Sequence, residues 1–272
     1  MAAPIGIFGR PFLDLEGLLD LDGLAELDAE IRRGLALTPE LTHTGGGLKS
    51  MGVVAPQVQA DPTIDYGHVI SRFTRDERIR FAALSDDPAA QEAARRGAAW
   101  GDETDFPLSE RQIRFLKYRH GVYFPWKVAW HFVLNQRWED NHSGAGKGFV
   151  GEAHQLFPRT VAFLQKLPFQ EIGRALIFGL SPFDHAPLHR DTVPAPGRPV
   201  AHSISICPRR DKRFYLMDPE LQTTLVVPAR AYWFNDMDWH GVLADPWFRY
   251  SIRVDGVFRA GFFDQLRRRF RG

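Results

Sequence analysis

Apolar residues in the first half of the chain recur at helical spacing. In the segment LAELDAEIRRG, Leu24, Leu27 and Ile31 fall on one helical face, and Gly34 predicts the end of the helix. A short helix over 158–167, halted by a proline, is also expected. Three further helices are predicted from start and stop signals, which are capping boxes at Thr74/Glu77 and Ser109/Gln112 and the pair Asp87–Pro88 followed by Gly97.

The period of the pattern changes to two in the second half. The segment VAHSISIC places Val200, His202 and Ile204 on one face and small residues on the other. RALIFGL predicts a strand before it, and KVAWHFVL predicts an edge strand further upstream. Similar runs follow as RFYLM, TTLVV, AYWF and FRYSIRVDGVF, separated by the turn-prone segments DPE, PAR and ADP. Closely spaced strands of this kind indicate an antiparallel sandwich or barrel.

Composition narrows the class of protein. A chain of 272 residues, 44% hydrophobic and 25% charged, fits one large globular domain or two small ones and is long enough to enclose a substantial core. The net charge of +1 gives no reason to expect nucleic acid or an anionic membrane as a partner, and the basic tail LRRRFRG indicates a solvated helix end. Cys207 is the only cysteine, and neither a secretory pattern nor an apolar run of about 18 residues is visible, so a cytoplasmic protein is expected.

The segment PLHRDT places a histidine and an aspartate two positions apart after a predicted strand. Because alternate residues point the same way, His189 and Asp191 can converge on one face. A ferrous centre of this type needs a second imidazole and keeps its remaining positions open for substrate and oxygen. His240, after AYWFNDMDW, is the best candidate for that ligand. Each residue taken singly suits a turn or surface, but their order and strand context favour a metal site.

A row of polar residues follows the distal histidine. In FRYSIRVD, Arg249, Ser251, Arg253 and Asp255 alternate with apolar residues and therefore share one strand face. If a barrel interior holds a small dianion, Arg249 can bind a carboxylate bidentately while Ser251 donates its hydroxyl. Alternation alone does not choose between the two arginines. His202 is a further candidate for contact with the ligand, although a lone histidine in a strand is more often a structural residue.

The three candidate ligands and the later arginine-x-serine pair occur in an order that resembles the Fe(II)- and 2-oxoglutarate-dependent oxygenase superfamily. In that superfamily two histidines and a carboxylate hold Fe(II), and the later arginine anchors the co-substrate. The segments GRPVAHSISICP and YWFNDMDWHGVLADPWFRYSIRVDGVF are similar to aspartyl/asparaginyl beta-hydroxylases. This resemblance covers residues 172–258, about a third of the chain.

The resemblance implies roles for individual residues. It implies that Arg249 and Ser251 bind the distal carboxylate of 2-oxoglutarate, which leaves Arg253 as a rim residue able to pair with Asp255. Typical aspartyl/asparaginyl beta-hydroxylases have glycine where this chain has Asp191, so the chain departs from that group. The complete triad also argues against halogenation, in which the missing carboxylate makes room for a halide.

The predicted fold is α+β with a mainly β core in a single domain. A double-stranded β-helix (jelly roll, cupin-like) is expected at 171–260, supported by helices in 1–170 and followed by a basic tail at 261–272. The resemblance implies a dioxygenase that takes Fe(II), 2-oxoglutarate and O2, releases succinate and CO2, and hydroxylates an unactivated carbon of an amino acid, peptide or related small molecule. Two alternatives stay open: a cupin-like metalloenzyme that does not use 2-oxoglutarate, in which Arg249 is structural, and a non-catalytic barrel that binds a ligand.

Overall fold

The computed structural model describes residues 4–38, 66–96, 108–121, 127–133, 141–218 and 220–271. The helices within these ranges are α1 (Leu24–Leu37), α2 (Tyr66–Ser71), α3 (Arg75–Ala82), α4 (Pro88–Arg95), α5 (Glu110–His120), α6 (Gly151–Leu156), α7 (Pro158–Lys166) and α8 (Ala260–Phe270). The strands are β1 (Phe12–Asp14), β2 (Lys127–His131), β3 (Phe169–Leu180), β4 (Ala186–His189), β5 (His202–Ile206), β6 (Phe214–Asp218), β7 (Thr223–Val226), β8 (Ala231–Phe234), β9 (His240–Val242) and β10 (Arg249–Phe258). The strand pairs are antiparallel, and the predicted α+β class is confirmed.

Side-chain caps begin three of the predicted helices. α3 and α5 start with capping boxes, in which Thr74 and Ser109 each accept a hydrogen bond from the backbone N–H three residues further on. Asp87 caps α4, whose first residue is Pro88. These starts confirm the sequence prediction, whereas Gly97, the predicted end of α4, lies outside the described residues.

The predicted end of α1 at Gly34 is wrong. The helix continues to Leu37, and Gly34 lies buried where α1 meets the start of α7. A Cβ atom at this position would collide with the ring of Phe157, so the glycine permits close packing between the two segments. One turn earlier, the buried carboxylate of Glu30 accepts hydrogen bonds from backbone N–H groups at the start of α7.

β10 lies inside a six-stranded sheet with the strand order β1-β8-β5-β10-β3-β2. Tyr250, Ile252 and Val254 belong to the main hydrophobic core, together with buried residues of α1, α6, α7 and α8. The alternating residues Ser251 and Arg253 point to the other face of the sheet and line a cavity. The polar face predicted for this strand therefore faces an interior space.

The second sheet has four strands in the order β4-β9-β6-β7. A separate apolar cluster joins the inner faces of the two sheets. Its members from the six-stranded sheet are Leu180, Tyr232 and Phe234, and those from the four-stranded sheet are Ala186, Phe214, Leu216 and Val242. The two sheets therefore face each other, and side chains from both meet between them.

The remaining helices lie around these sheets. α2 to α5 contribute to a small core of their own, in which Phe73 and Phe81 pack edge to face at 5.5 Å. The basic tail forms α8, which buries Phe262 and Leu266 and carries its arginines in the last turn. Among the described helices, none combines the length and apolar character that a bilayer crossing requires.

Candidate metal centre

The two candidate histidine ligands are neighbours across a strand pair. β4 ends at His189 and β9 begins at His240, and these residues are register partners in the four-stranded sheet. Their ring centroids lie 4.3 Å apart. Both side chains are buried, with 9% and 5% of their surface exposed. Antiparallel pairing thus brings together two residues that are far apart in sequence.

Asp191 completes the group from the loop that follows β4. Its Oδ1 atom lies 3.4 Å from Nε2 of His189 and 3.5 Å from Nε2 of His240. The backbone N–H of Asp191 donates to the carbonyl of Asp236 at 3.0 Å, which ties this loop to the turn before His240. One ligand atom from each of the three residues lies within 4.8 Å of the others. The predicted triad is therefore brought together.

The donor set fits a divalent first-row metal ion. Nδ1 of His240 lies 2.8 Å from the carbonyl of Asp238, and because a carbonyl only accepts, this nitrogen carries a proton, which leaves Nε2 as the nitrogen that would bind a metal ion. Ligands at about 2.1 Å from a metal and at right angles to each other are about 3 Å apart, so the 3.4 and 3.5 Å separations need only a small contraction. Two imidazoles and one carboxylate form the donor set of ferrous oxygenases.

The charge state of Asp191 suits this role. Desolvation of the carboxyl group beside the two imidazoles opposes ionisation, but the charges and hydrogen bonds of His240 and His189 outweigh it and hold the pKa of Asp191 well below its usual value. The carboxyl group is therefore ionised at neutral pH and able to act as a ligand. Its side chain remains 36% exposed, so the site is reachable from solvent.

The three ligands border a cavity of about 60 Å³ between the two sheets. Its apolar wall includes Phe178 and Leu180 from β3 and Phe214 from the start of β6. Its polar wall comes from the six-stranded sheet and the segment before β6, and consists of Arg174, Ser205, Lys212, Ser251 and Arg253. The cavity therefore has three cationic side chains in an otherwise largely apolar enclosure, a composition suited to an anionic ligand.

Lys212 differs from the two arginines of the cavity because it has no carboxylate partner among the described residues. Its Nζ donates to Oγ of Ser251 at 2.7 Å and approaches the carbonyl of Phe178 at 3.5 Å. Within the described part of the chain, no carboxylate lies within ion-pair distance of this ammonium group. Burial lowers the pKa of Lys212 to about 7, and the charges of Arg249 and Arg253 act in the same direction. A half-buried ammonium group with three N–H donors and two neutral acceptors, the Ser251 hydroxyl and the Phe178 carbonyl, has donor capacity left for an anion.

Arg253 lines the cavity and belongs to a buried charge cluster. Its Nε donates to Oδ1 of Asp255 at 2.8 Å, and Nη1 donates to Oγ of Ser205 at 3.3 Å. The other oxygen of Asp255 accepts from Nε of Arg174 at 2.8 Å. The predicted pairing of Arg253 with Asp255 is present, but both residues are buried rather than at a rim.

The structure places Arg249 away from the role predicted for it. Nη1 donates to the carbonyls of Ser181 and Trp247, and Nη2 donates to those of Leu243 and Asp184. A fifth interaction joins Nε to the carboxylate of Asp245 at 3.5 Å. The guanidinium is fully buried, is not among the residues that line the cavity, and holds two loops together. The sequence did not indicate these contacts, because strand alternation fixes the face of the strand but not the direction that a long side chain takes at the strand end.

His202 is also absent from the cavity wall. Its ring stacks on Phe258 with a centroid distance of 4.6 Å and meets Trp233 edge to face at 5.6 Å. Its Nδ1 accepts a hydrogen bond from the backbone N–H of Phe258 at 3.1 Å. Burial lowers the pKa of His202, so the ring is neutral at pH 7. The structural interpretation of this histidine is therefore favoured over a ligand-binding one.

Sequence reasoning missed two cationic residues of the cavity wall, Lys212 and Arg174. Lys212 stands in the charged segment RRDKR, where nothing distinguishes an inward lysine from its neighbours. Arg174 opens the run RALIFGL, and its pairing partner Asp255 lies 81 residues further on. The one available signal for Arg174 was the position of Asp255 on the same strand face as Arg253. A carboxylate buried in a strand requires cationic partners, so a second cation near Asp255 could have been expected.

Solved structures with a likeness to this chain include 2OG-Fe(II) oxygenases. One is a 2OG-Fe(II) oxygenase family oxidoreductase from Burkholderia pseudomallei, with 15% identity, a TM-score of 0.30 and coverage of 46% of this chain and 65% of the other. A second is a prolyl-4-hydroxylase from Pseudomonas putida, with 14% identity, a TM-score of 0.26 and coverage of 41% of this chain and 67% of the other. A third is the non-heme alpha ketoglutarate dependent carbocyclase SnoK from nogalamycin biosynthesis, with 12% identity, a TM-score of 0.27 and coverage of 68% of this chain and 84% of the other.

The match to the Burkholderia protein spans slightly less than two thirds of that protein's length. No protein-family model and no curated protein matches the sequence. The narrower resemblance to aspartyl/asparaginyl beta-hydroxylases therefore stays a prediction.

Proposed function

We propose that this protein is an Fe(II)- and 2-oxoglutarate-dependent dioxygenase. The observation that carries the proposal is the meeting of two features in one cavity between the sheets. One is the donor set of His189, Asp191 and His240, and the other is Lys212, a half-buried amine without a carboxylate partner among the described residues. A ligand that satisfies both is a small molecule with a metal-binding group at one end and an anionic group at the other.

In this proposal the two facing sheets form the double-stranded β-helix expected for such enzymes. The triad would hold Fe(II) through two Nε2 atoms and one carboxylate oxygen, leaving the other coordination positions for co-substrate and oxygen. The bound ion supplies the redox chemistry with O2. The chain itself supplies ligand orientation, a cavity that excludes bulk water, and fixed positive charge.

The proposed contacts with 2-oxoglutarate differ from those implied by the resemblance. Its distal carboxylate would receive hydrogen bonds from Lys212 and Ser251, which are already joined at 2.7 Å. Ser251 and Arg253 are two residues apart on one face of β10, about 7 Å along the strand. Arg253 lines the same cavity as the triad, and the charges of Asp255 and Asp191 raise its pKa against the effect of burial. The span suits an extended dicarboxylate with its keto acid at the metal.

The primary substrate is proposed to be an amino acid, a peptide or a related small molecule. In the overall reaction, 2-oxoglutarate would lose CO2 and become succinate, taking up one oxygen atom of O2. The other oxygen atom would enter a carbon–hydrogen bond of the substrate as a hydroxyl group. Within the superfamily, relationship to aspartyl/asparaginyl beta-hydroxylases is proposed on the segments quoted above, with Asp191 as the departure from that group.

One observation favours a second candidate, a cupin-like metalloenzyme that does not use 2-oxoglutarate. Arg249 has the structural role that this alternative requires, with its terminal N–H groups donating to four carbonyls. Under that alternative Lys212 has no anionic partner to bind. The two candidates therefore differ in what they predict for Lys212 and for succinate.

Succinate formation tests the proposal. The purified protein is incubated with Fe(II), ascorbate and 2-oxoglutarate in air, without added substrate, and succinate is quantified by mass spectrometry. We expect slow uncoupled formation of succinate that is abolished in His240→Ala. Metal-dependent oxidase activity without succinate would favour the cupin-like alternative, and an inert protein that binds iron would favour a binding module.

A further inference from the structure

The turn that precedes His240 is stabilised by hydrogen bonds from its own polar residues. It runs from Asn235 to Trp239, between β8 and β9. The side-chain carbonyl of Asn235 accepts from the N–H of Met237 at 3.1 Å, and its backbone carbonyl accepts from the N–H of Asp238 at 3.0 Å. Asn235 and Asp238 are both buried. The backbone of this turn is therefore fixed at the position from which the imidazole projects.

Asp238 joins this turn to a segment more than 230 residues away in sequence. Its Oδ1 accepts from the N–H of Ile5 at 2.6 Å, and its Oδ2 accepts from the N–H of Gly6 at 2.8 Å. The Nδ2 group of Asn235 returns a hydrogen bond to the carbonyl of Gly6 at 3.3 Å. Each oxygen of one carboxylate thus binds one of two consecutive N–H groups, an arrangement specific in direction as well as distance.

The same residue contacts the metal ligand. The backbone carbonyl of Asp238 accepts the Nδ1 proton of His240 at 2.8 Å. That bond selects the tautomer and fixes the ring so that Nε2 faces Oδ1 of Asp191. A shift of Asp238 would therefore rotate or displace the imidazole.

The segment 5–7, whose N–H groups bind the carboxylate of Asp238, is held in a tight turn. Gly6 has φ +62°, and a Cβ there would collide with the carbonyl of Arg10. Ile7 and Arg10 exchange two backbone hydrogen bonds of 2.8 and 3.0 Å, which close a tight turn. Glycine at position 6 thus allows the backbone N–H groups of this turn to reach the carboxylate.

We propose that Asp238 is a positioning residue for His240, and that the segment 5–7 acts through it as a fixed support for the metal centre. This inference rests on the proposed metal site. It assigns a role in metal binding to Gly6 and Ile5, which are not ligands and do not line the cavity. The support would set the orientation of one imidazole and, through it, the affinity and ligand field of the ion.

Two variants and two matched controls test the inference. Asp238→Asn replaces one accepting oxygen by an NH2 group, so one of the two N–H groups of the segment loses its acceptor. Gly6→Ala displaces the segment without altering any residue of the turn. Asp218→Asn is the control for the first, because Asp218 accepts two backbone N–H groups in the β6–β7 turn. Gly9→Ala is the control for the second, because Gly9 also has positive φ but a Cβ there meets nothing within 4 Å.

The readouts are Co(II) affinity by calorimetric titration and the visible ligand-field spectrum of the Co(II) protein, with circular dichroism to verify folding. We expect Asp238→Asn and Gly6→Ala to bind Co(II) about 10- to 100-fold more weakly and with an altered spectrum, and both controls to resemble the wild type. If Asp238→Asn does not fold, Gly6→Ala carries the test alone. Folded variants with wild-type affinity and spectrum would overturn the inference while leaving the metal site intact. A wild-type protein that binds no Co(II) would overturn the proposed metal site and this inference with it.

Discussion

Replacing Lys212 probes the proposed co-substrate site at the residue on which it depends most. Lys212→Met keeps much of the length and apolar volume of the side chain and removes its charge and its hydrogen bond to Ser251. Lys212→Arg keeps a cation that stays protonated at all accessible pH values. Arg249→Met is the matched comparison, since Arg249 was the anchor implied by the resemblance and is instead bonded to four carbonyls.

The size of the effect follows from the contacts of the ammonium group. Truncating one partner of a buried charge pair costs about 2–5 kcal/mol, which corresponds to a loss of affinity of roughly 30- to 5,000-fold. With a pKa of about 7, about half of the Lys212 side chains in the ligand-free protein carry the proton at pH 7. This partial protonation weakens wild-type binding only about twofold, or about 0.4 kcal/mol, so most of the loss remains measurable.

The same pKa gives the binding a pH dependence of defined sign. A dianion binds the protonated form of Lys212, so affinity should be highest below pH 7 and fall by up to about tenfold per pH unit above it. In Lys212→Arg this fall should be absent. The metal-bound imidazoles do not gain a proton in this range, so they do not produce the same trend.

The assay is an anaerobic titration of the Fe(II) protein with 2-oxoglutarate, followed by its metal-to-ligand charge-transfer band. We expect a large loss of affinity in Lys212→Met and a much smaller one in Arg249→Met. Unchanged affinity in Lys212→Met together with a large loss in Arg249→Met would refute the reasoning and restore Arg249 as the anchor.

The remaining predictions concern stability and the residues outside the cavity. Arg249→Met should lower the free energy of unfolding in urea by about 3–5 kcal/mol, because it removes a charged donor from four carbonyls and one of the two cationic partners of the buried carboxylate of Asp245, the other being Arg213. Gly34→Ala should cost about 1–3 kcal/mol by overpacking against Phe157, measured the same way. His202→Ala should lower the melting temperature but leave 2-oxoglutarate affinity unchanged. The pKa of Lys212 is lower in the folded chain than its ordinary value of 10.5, so the unfolded chain binds more protons between about pH 7 and 10.5. The free energy of unfolding should therefore rise with pH across this window, and it should rise more in the wild type than in Lys212→Met.

The meeting of the three candidate metal ligands was predictable from sequence because their signals are local. A histidine and an aspartate two positions apart after an apolar run, and a later histidine before another strand, restrict where the side chains can meet. Their separate strands β4 and β9 are only four and three residues long and were not predicted. Strands this short take their conformation from the pairing His189–His240 rather than from a pattern of their own.

The cationic end of the cavity was not predictable in the same way. Arg209 and Arg213 flank Lys212 and have 56% and 48% of their side chains exposed, although all three residues look alike in sequence. Lys212 turns inward because the chain folds back just before β6, where the N–H of Phe214 donates to the carbonyl of Lys212 at 2.7 Å. Such a turn depends on tertiary packing, whereas the polar face of β10 follows from alternation alone.

The central claim is that the triad and the cationic cavity bind one Fe(II) and one 2-oxoglutarate together. Anaerobic isothermal titration of the metal-free protein with 2-oxoglutarate, in the presence and absence of saturating Fe(II), tests it most directly. The account predicts one 2-oxoglutarate per chain, bound tightly only when Fe(II) is present, and no such dependence on iron in His189→Ala. Binding of 2-oxoglutarate that is equally strong with and without Fe(II), or no binding in either case, would contradict it.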